Sequence, residues 1–412
     1  MCLGTGPGFP LFHFSLSPVP SSFMSRFLSI SNVPFSAAVL GLAAFLLTGF
    51  VTFRPNRIAA GKAVHLTQTH GDLWIAVLGL WAVLITLSVI RIPGRWQNIS
   101  ISILSSVLLL TLVASAGRHA AFTAAQAGSI ARTSLGPAFW TPLFALIVIL
   151  TDTWLNEENG RKIISLSIIA ACGITLWMLD SGRLDDLSIM QEFANRKQRF
   201  FDEMIAHLLL AGSSVALALL IGIPLGTLAY RKRRVYNPTF FILNIFQTIP
   251  SLALFGILIP VLAALTLKFP ILTSLGMKGI GATPAIIALT VYSLLPVARN
   301  TYTGFATVDP AVIEAGTGMG MTKRQLLFRV EIPIASPVIL NGIRVALVQA
   351  IGLTAVAALI GAGGMGVFIF QGLGQAANDL ILLGAIPTIL FAVVADTALA
   401  GVMAITKPEG IE

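Results

Sequence analysis

Ten apolar stretches, each near the length needed to cross a lipid bilayer, dominate this sequence. They lie at about 35–53, 73–92, 99–116, 138–154, 163–179, 205–229, 239–264, 280–298, 338–360 and 380–405. A spanning helix needs roughly 20 predominantly apolar residues, and inside hydrocarbon the backbone can satisfy its own polar groups only as helices or a closed barrel. Runs that are continuous rather than alternating point to helices. The expected fold is therefore all-α, a polytopic transmembrane helix bundle of about ten spans. Composition agrees: 56% of the 412 residues are hydrophobic and 10% are charged, against about a quarter charged in soluble domains. Ten spans take up about 200 residues and the rest is divided among loops, so no single connection has room for an extramembrane enzyme domain.

Lys and Arg number 26 against 17 acidic residues, a net charge of +9. In a membrane chain this excess belongs first to loops facing anionic lipid, and it gives no reason to expect nucleic acid as a partner. The segment 230–238 (YRKRRVYNP) and the segment 299–337 with Arg299, Lys323, Arg324 and Arg329 concentrate the positive charge, and Lys407 lies on the same side; only Lys268 and Lys278 fall on the other. The positive-inside rule puts these loops in the cytoplasm, and an even number of spans puts both termini there. In the N-terminal half the rule is weak, because the same alternation leaves Arg54, Arg57 and Lys62 outside. Residues 1–34 form a tail with the single charge Arg26, and Met24 is a candidate initiator, in which case residues 1–23 are not translated. The loop 180–204 mixes both signs and reads as an external helical connector between an N-terminal extension of about five helices, 35–179, and a C-terminal core, 205–405, followed by the tail 406–412.

Several chemistries are missing. The sequence holds no GxxxxGK[ST] phosphate loop, no HExxH, no CxxC and no GxSxG elbow, and no paired carboxylates within a span. Cys2 and Cys172 supply neither a disulfide framework nor metal spacing. His13, His65, His70, His119 and His207 are scattered, and each reads as a satisfied or interfacial imidazole. No catalytic or metal site is expected, and any ATP and Mg must be bound by a partner subunit.

The stretch 299–337 is longer than a connection between neighbouring helices needs. Asp309 and Pro310 make an N-cap and first-turn pair, Gly318 and Gly320 end the helix they start, and Thr322 can cap a second short helix through Leu327 and Phe328. Pro333 and Pro337 are expected to delay the next span. The product is a helical hairpin with apolar knobs (Met319, Met321, Leu326, Leu327, Phe328) rimmed by Lys323, Arg324 and Arg329, suited either to docking a protein or to lying on lipid.

This stretch resembles the EAA loop of ABC-importer permeases, whose pattern is Glu-Ala-Ala, three residues, Gly, nine residues, then Ile-x-Leu-Pro. Here it maps to Glu314, Ala315, Gly316, Gly320, Val330, Ile332 and Pro333. The segments IFQTIPSLALFGILIP (245–260), PAIIALTVYSLLPVARNTYTGF (284–305), EAGTGMGMTKRQLL (314–327), IGAGGMG (360–366) and DLILLGAIP (379–387) are similar to permeases of osmoprotectant importers for glycine betaine, choline, carnitine or proline betaine. The resemblance covers about 205–405. It implies a type I ABC-importer permease core whose hairpin sits in a groove of an ABC ATPase subunit, with Glu314, Ala315, Gly316, Gly320, Met321, Thr322 and Pro333 as the coupling residues. It further implies the bacterial cytoplasmic (inner) membrane, a separate periplasmic or extracellular substrate-binding protein, and a second permease copy or homologue as partners, with ATP and Mg on the ATPase. The N-terminal spans lie outside it, and a structural sleeve, an osmosensing element and an assembly surface all remain open for them.

Within the spans, Gly222, Gly226, Pro224, Pro250, Pro260 and Pro296 read as kinks or close-packing points. Asn244 and Gln247 before Pro250 either line a polar pathway or bond across helices. A quaternary ammonium donates no hydrogen bond and is held by aromatic faces, so Phe246, Phe255, Tyr292 and Tyr302 are candidates to line its route, or are core. Asp396 and Arg344 are costly in lipid and either pair or reach the inner boundary. The expected function is the permease subunit of an ATP-driven importer of glycine betaine or a related quaternary amine. A permease for another small solute, an ion-coupled secondary carrier and a non-transporting scaffold are the alternatives.

Overall fold

The computed structural model describes residues 31–406 apart from 58, 91, 93, 129 and 275; Met24 and the tail before it, Cys2, His13, Arg26 and Lys407 lie outside the described residues. The chain divides into two compact units between Ser188 and Ile189.

The first unit contains α1 (Asn32–Leu47), β1 (Val51–Arg54), β2 (Lys62–Val64), α2 (Leu73–Val89), α3 (Trp96–Ala127), β3 (Arg132–Leu135), α4 (Pro137–Leu155) and α5 (Arg161–Asp180). α1 packs on α2 and α4, and α3 packs on α2, α4 and α5. α1 and α2 approach closely at one point: the Trp81 ring is fully buried and lies so near Gly41 that a Cβ there would sit 2.2 Å from it. Its Nε1 donates to Ala38 O at 2.8 Å, which gives the indole both an apolar bed and a partner for its one donor. The apolar stretch 35–53 is not one helix, because α1 ends at Leu47 and Val51–Arg54 forms the central strand of an antiparallel sheet ordered β2-β1-β3. This sheet was not expected. Val51–Arg54 and Arg132–Leu135 are too short for a period-2 pattern to stand out beside long helices.

The second unit contains α6 (Ser188–Asn195), which begins at the division, α7 (Lys197–Arg231), α8 (Arg233–Thr248), α9 (Ser251–Lys268), α10 (Pro270–Ser274), α11 (Ala282–Ala306), α12 (Pro310–Gly318), α13 (Lys323–Leu326), α14 (Ile332–Ala357), α15 (Gly366–Gly374) and α16 (Asn378–Thr406). α11 is the hub, packed between α7 and α14. Glycines allow the close approach on both sides. A Cβ on Gly226 would lie 2.5 Å from Ala298 O, and one on Gly342 would lie 2.8 Å from Pro296 O. Gly222 meets Val297 in the same way, so the Gly222/Gly226 pair acts as a packing seam, the use small residues have between spans.

Two expectations about spans are corrected. The stretch 239–264 is two helices, α8 and α9, separated at Ile249 and Pro250, because the residue before a proline is driven out of the helical region. The segment 299–337 is shorter as a connection than it appears, since α11 continues to Ala306 and the helix begun at Lys323 runs on to the end of α14. Among the described residues eight helices are long and apolar enough to cross a membrane. α1 and α2 are apolar but have 16 and 17 residues.

Candidate functional site

The hairpin between α11 and α14 is built from local signals that each do what their chemistry allows. Asp309 caps α12, its Oδ1 accepting from Ala311 N at 2.8 Å, with Pro310 in the first turn. At the other end Gly320 takes φ +81°. Gly320 N donates to Thr317 O at 3.0 Å and Met321 N to Gly316 O at 3.1 Å, the paired bonds by which a left-handed glycine closes a helix. Thr322 then opens α13 with a capping box: Gln325 N donates to Thr322 Oγ1 at 3.3 Å, and Thr322 N to Gln325 Oε1 at 2.8 Å.

Gly316 is the buried residue of α12. A Cβ on it would sit 2.7 Å from Leu326 Cδ1 and 3.4 Å from Met321 Sδ, so the glycine lets the two arms close on each other. Glu314, Ala315, Gly320, Thr322 and Pro333 are exposed, and Met321 is half-buried beneath them. Of the five apolar knobs, Met319 at 73% and Phe328 at 58% exposure face outward, Met321 and Leu326 lie against Gly316 between the arms, and Leu327 faces a cavity lined by Ile223 and Thr227 of α7, Phe305 of α11 and Ile339 of α14. The Glu314 carboxylate makes no hydrogen bond or ion pair among the described residues.

The second arm differs from expectation. Pro333 and Pro337 do not delay α14. Residues Leu327–Glu331 form a π turn in which Ile332 N reaches back to Leu327 O, joining α13 to α14 without a break. The wider turn accommodates Pro333, and the carbonyl that Pro337 leaves without a donor, Pro333 O, accepts instead from Ser336 Oγ at 2.9 Å. Glu331, 5% exposed, lies at this junction and receives Arg231 Nη2 at 2.9 Å. Arg231 is the last residue of α7, so the hairpin's base is tied by an ion pair to the end of a neighbouring helix. The sequence offered no local sign of this tie.

The pathway candidates separate into two groups. Pro296 cannot donate to Tyr292 O, and Gln247 Nε2 fills that place at 2.6 Å. Tyr292 OH in turn donates to Ile249 O at 2.5 Å, beside the break at Pro250. Gln247, Pro250 and Tyr292 are thus brought together as a clamp between α8, α9 and α11. Tyr292 and Phe255 are core residues with 4% and 0% exposure. Asn244 is exposed and Phe246 half-buried, outside this clamp. Tyr302 lies 4.7 Å from Tyr236 and 5.8 Å from Phe240 between ring centroids, and the Arg299 guanidinium sits 4.4 Å above the Phe240 ring, so that cluster already holds a cation of its own chain.

A second latch holds the glycine segment 361–366. Glu203 Oε2 accepts from Gly364 N at 2.7 Å, and His207 Nδ1 accepts from Met365 N at 3.2 Å. With Nδ1 an acceptor, the other ring nitrogen carries the proton and donates to Ile351 O at 3.1 Å. Glu203 and His207, one turn apart on α7, thereby satisfy amides at the start of α15, and the glycine segment is an ordered element rather than a plain loop. His207 is the satisfied imidazole the sequence suggested.

Arg344 and Asp396 pair with each other. Nε to Oδ1 is 2.5 Å and Nη2 to Oδ2 is 2.6 Å, a two-bond fork that joins α14 to α16. Each single replacement by alanine strands the other charge in a span, so both Arg344→Ala and Asp396→Ala are expected to lower the yield of folded chain in membranes. The exchange of Arg344→Asp with Asp396→Arg should recover much of it. Size-exclusion profiles of solubilised membranes read all three.

A body of span-length helices with a capped hairpin running directly into one of them is the organisation of a membrane permease. Residues 218–408 match the family of binding-protein-dependent transport system inner membrane components, and residues 31–190 match the N-terminal domain of the ABC transporter permease YehY. The chain is 42% identical over 205 residues to the osmoprotectant import permease protein OsmW of Salmonella typhimurium, covering 50% of this chain and 90% of that one. It is 44% identical over 196 residues to the glycine betaine/carnitine/choline transport system permease protein OpuCD of Bacillus subtilis, covering 47% and 78%. It is 43% identical over 193 residues to the carnitine transport permease protein OpuCB of Listeria monocytogenes, covering 47% and 81%. Among solved structures, an inward-facing form of the MetNI methionine ABC transporter aligns with a TM-score of 0.45 at 23% identity, over 52% of this chain and 98% of that one. The chain belongs to the binding-protein-dependent transport permease family; it is a permease subunit and not an enzyme.

Proposed function

We propose that this chain is the membrane subunit of an ATP-driven importer for glycine betaine or a related quaternary-amine osmoprotectant. The substrate class rests on the relatives, which are named as permeases for osmoprotectants, glycine betaine, choline and carnitine. The observation that carries the mechanism is the hairpin. The hairpin exposes Glu314, Ala315, Met319, Thr322 and Phe328, and its second arm is one unbroken rod with α14. A push on the tip is therefore delivered to a span, and through Arg231 and Glu331 to the end of α7.

In this reading a separate ABC ATPase binds ATP and Mg, grips the hairpin and closes, while a separate binding protein delivers solute on the opposite face. A second permease copy or homologue completes the pathway, and the paired cores alternate between inward and outward openings. The chain lies in the bacterial inner membrane with both termini in the cytoplasm and the hairpin on the cytoplasmic side. The clamp of Gln247, Pro250 and Tyr292 holds the α8–α9 break against α11, and Asn244 and Phe246 beside it are the groups left to meet a passing solute. An ion-coupled carrier needs an acidic group free to bind its ion, and the fork from Arg344 occupies Asp396.

The test is uptake of labelled glycine betaine by cells lacking their own importers and supplied with this chain, its binding protein and its ATPase. Accumulation is expected only when all three are present, with competition by choline or carnitine ordering the substrates. Uptake that persists without the ATPase contradicts the proposal, and an importer active on none of these solutes moves the substrate outside the class.

A further inference from the structure

Far from the hairpin, the second unit holds a cavity of about 500 Å³, within the size range of small-molecule sites. Its walls come from three elements. Arg199 and Glu203 stand one turn apart on α7, Val367, Phe370 and Gln371 share one face of α15, and the glycine segment adds the bare backbone of Gly363. α7 has 35 residues and is thus roughly 50 Å long. Arg199 lies in its first turn, while Arg231, tied to the hairpin, is its last residue, so the cavity belongs to the end of the helix opposite the hairpin.

The polar groups of this cavity are available. The Arg199 side chain is half exposed and its Nε lies 3.6 Å from Glu203 Oε1, too far for a hydrogen bond, so the guanidinium has no committed donor among the described residues. Glu203 is held away from it, because its Oε2 accepts from Gly364 N at 2.7 Å. The Gln371 amide has no hydrogen-bond partner among the described residues, and Phe370 meets neither another ring nor a cation there. These groups select against simple ions, since Glu203 repels a free anion from Arg199 and Arg199 repels a free cation from Glu203. A molecule carrying both charges escapes that penalty. Its carboxylate can take the guanidinium fork. A primary ammonium would need an acceptor for each of three N–H groups, and Val367 and Phe370 supply none, whereas a quaternary ammonium needs none and is held by an aromatic face.

We propose that this cavity binds a zwitterion with a quaternary ammonium, its carboxylate on Arg199 and Gln371 and its N-methyl groups against Phe370 and beside Glu203. The proposal rests on the reading of the chain as an osmoprotectant permease and deepens it: the solute gains a receiving site on the chain itself, at the end of α7 where a binding protein would release it.

The experiment is saturation-transfer NMR on N-methyl protons, with the full chain in nanodiscs, empty nanodiscs as the blank, and neither binding protein nor ATPase present. Glycine betaine is expected to give a saturable signal. Arg199→Gln should weaken its apparent affinity by about tenfold, and that of choline, which has no carboxylate, by about twofold at most. Phe370→Leu should weaken both by about fivefold. Lys162→Gln, in the first unit, should change neither. Thermal unfolding of the same samples checks that each variant folds, and Gln371→Leu tests the carboxylate contact from α15 should Arg199→Gln not fold. A wild type without a saturable signal overturns the site, as does an Arg199→Gln variant that binds glycine betaine as the wild type does or loses both ligands equally. Uptake by the complete importer is measured beside it. Uptake without binding overturns the site and leaves the transport function standing, whereas binding without uptake supports the site and counts against that function.

Discussion

Gly366→Ala is expected to be the most damaging small substitution in the permease core. A Cβ at this position would lie 1.9 Å from Ala355 O and 2.6 Å from Ala355 C, and backbone atoms cannot swing aside as a side-chain tip can. The first turn of α15 must therefore move away from the end of α14. That shift would also pull Gly364 and Met365 from Glu203 and His207, their partners at 2.7 and 3.2 Å. Overpacking of this kind costs about 3 kcal/mol, a large fraction of the stability of an ordinary domain. The thermal unfolding midpoint in detergent should fall sharply, with a matching loss of folded yield. Gly352→Ala is the control, because a Cβ there meets nothing within 4 Å and alanine is the better helix former; its midpoint should hold or rise slightly. Equal midpoints for the two variants would show that α15 is not seated on α14 as described.

Arg231→Ala is the second large effect. It leaves Glu331, 5% exposed, without the guanidinium 2.9 Å away, and stranding a buried hydrogen-bonded group costs about 1–3 kcal/mol. The loss falls at the π turn that joins the hairpin to α14, so transport should suffer more than abundance. Adding Glu331→Ala removes the stranded carboxylate and should recover much of the stability without restoring the tie, so the double variant remains poor in uptake. Thermal unfolding and uptake on the four chains of this cycle separate the two contributions. Additive effects would mean that the pair does not interact.

The parts legible in the sequence are those governed by local or one-dimensional rules. Long apolar runs are read one segment at a time, because each must satisfy its own backbone in lipid. The caps of the hairpin follow from Asp309-Pro310, Gly320 and the Thr322 to Gln325 spacing, all within a few residues. What stayed hidden is non-local. Arg231 finds Glu331 100 residues away and Glu203 finds Gly364 161 residues away, and neither partner announces the other. The break between α8 and α9 was missed for a different reason: the run 239–264 is apolar across Pro250, so hydropathy continues where the helix does not. The expected delay at Pro333 and Pro337 failed because a π turn and the Ser336 hydroxyl supply what the prolines remove. Four-residue strands flanked by long helices gave no periodic signal.

The central claim is that the hairpin passes the motion of an ATPase to the spans, and Gly320 gives direct access to it. Gly320 lies at the turn between the two arms with φ +81° and open space where a side chain would go. Gly320→Ala introduces the strain of a left-handed residue without bulk, whereas Gly320→Trp adds the same strain and a large group aimed at whatever holds the tip. Labelled glycine betaine uptake should be measured for both beside the wild type, with membrane abundance fixed by immunoblot and the binding protein and ATPase supplied. The account predicts that Gly320→Ala keeps most of the uptake while Gly320→Trp loses it at unchanged abundance. Uptake by Gly320→Trp equal to that of the wild type would contradict it.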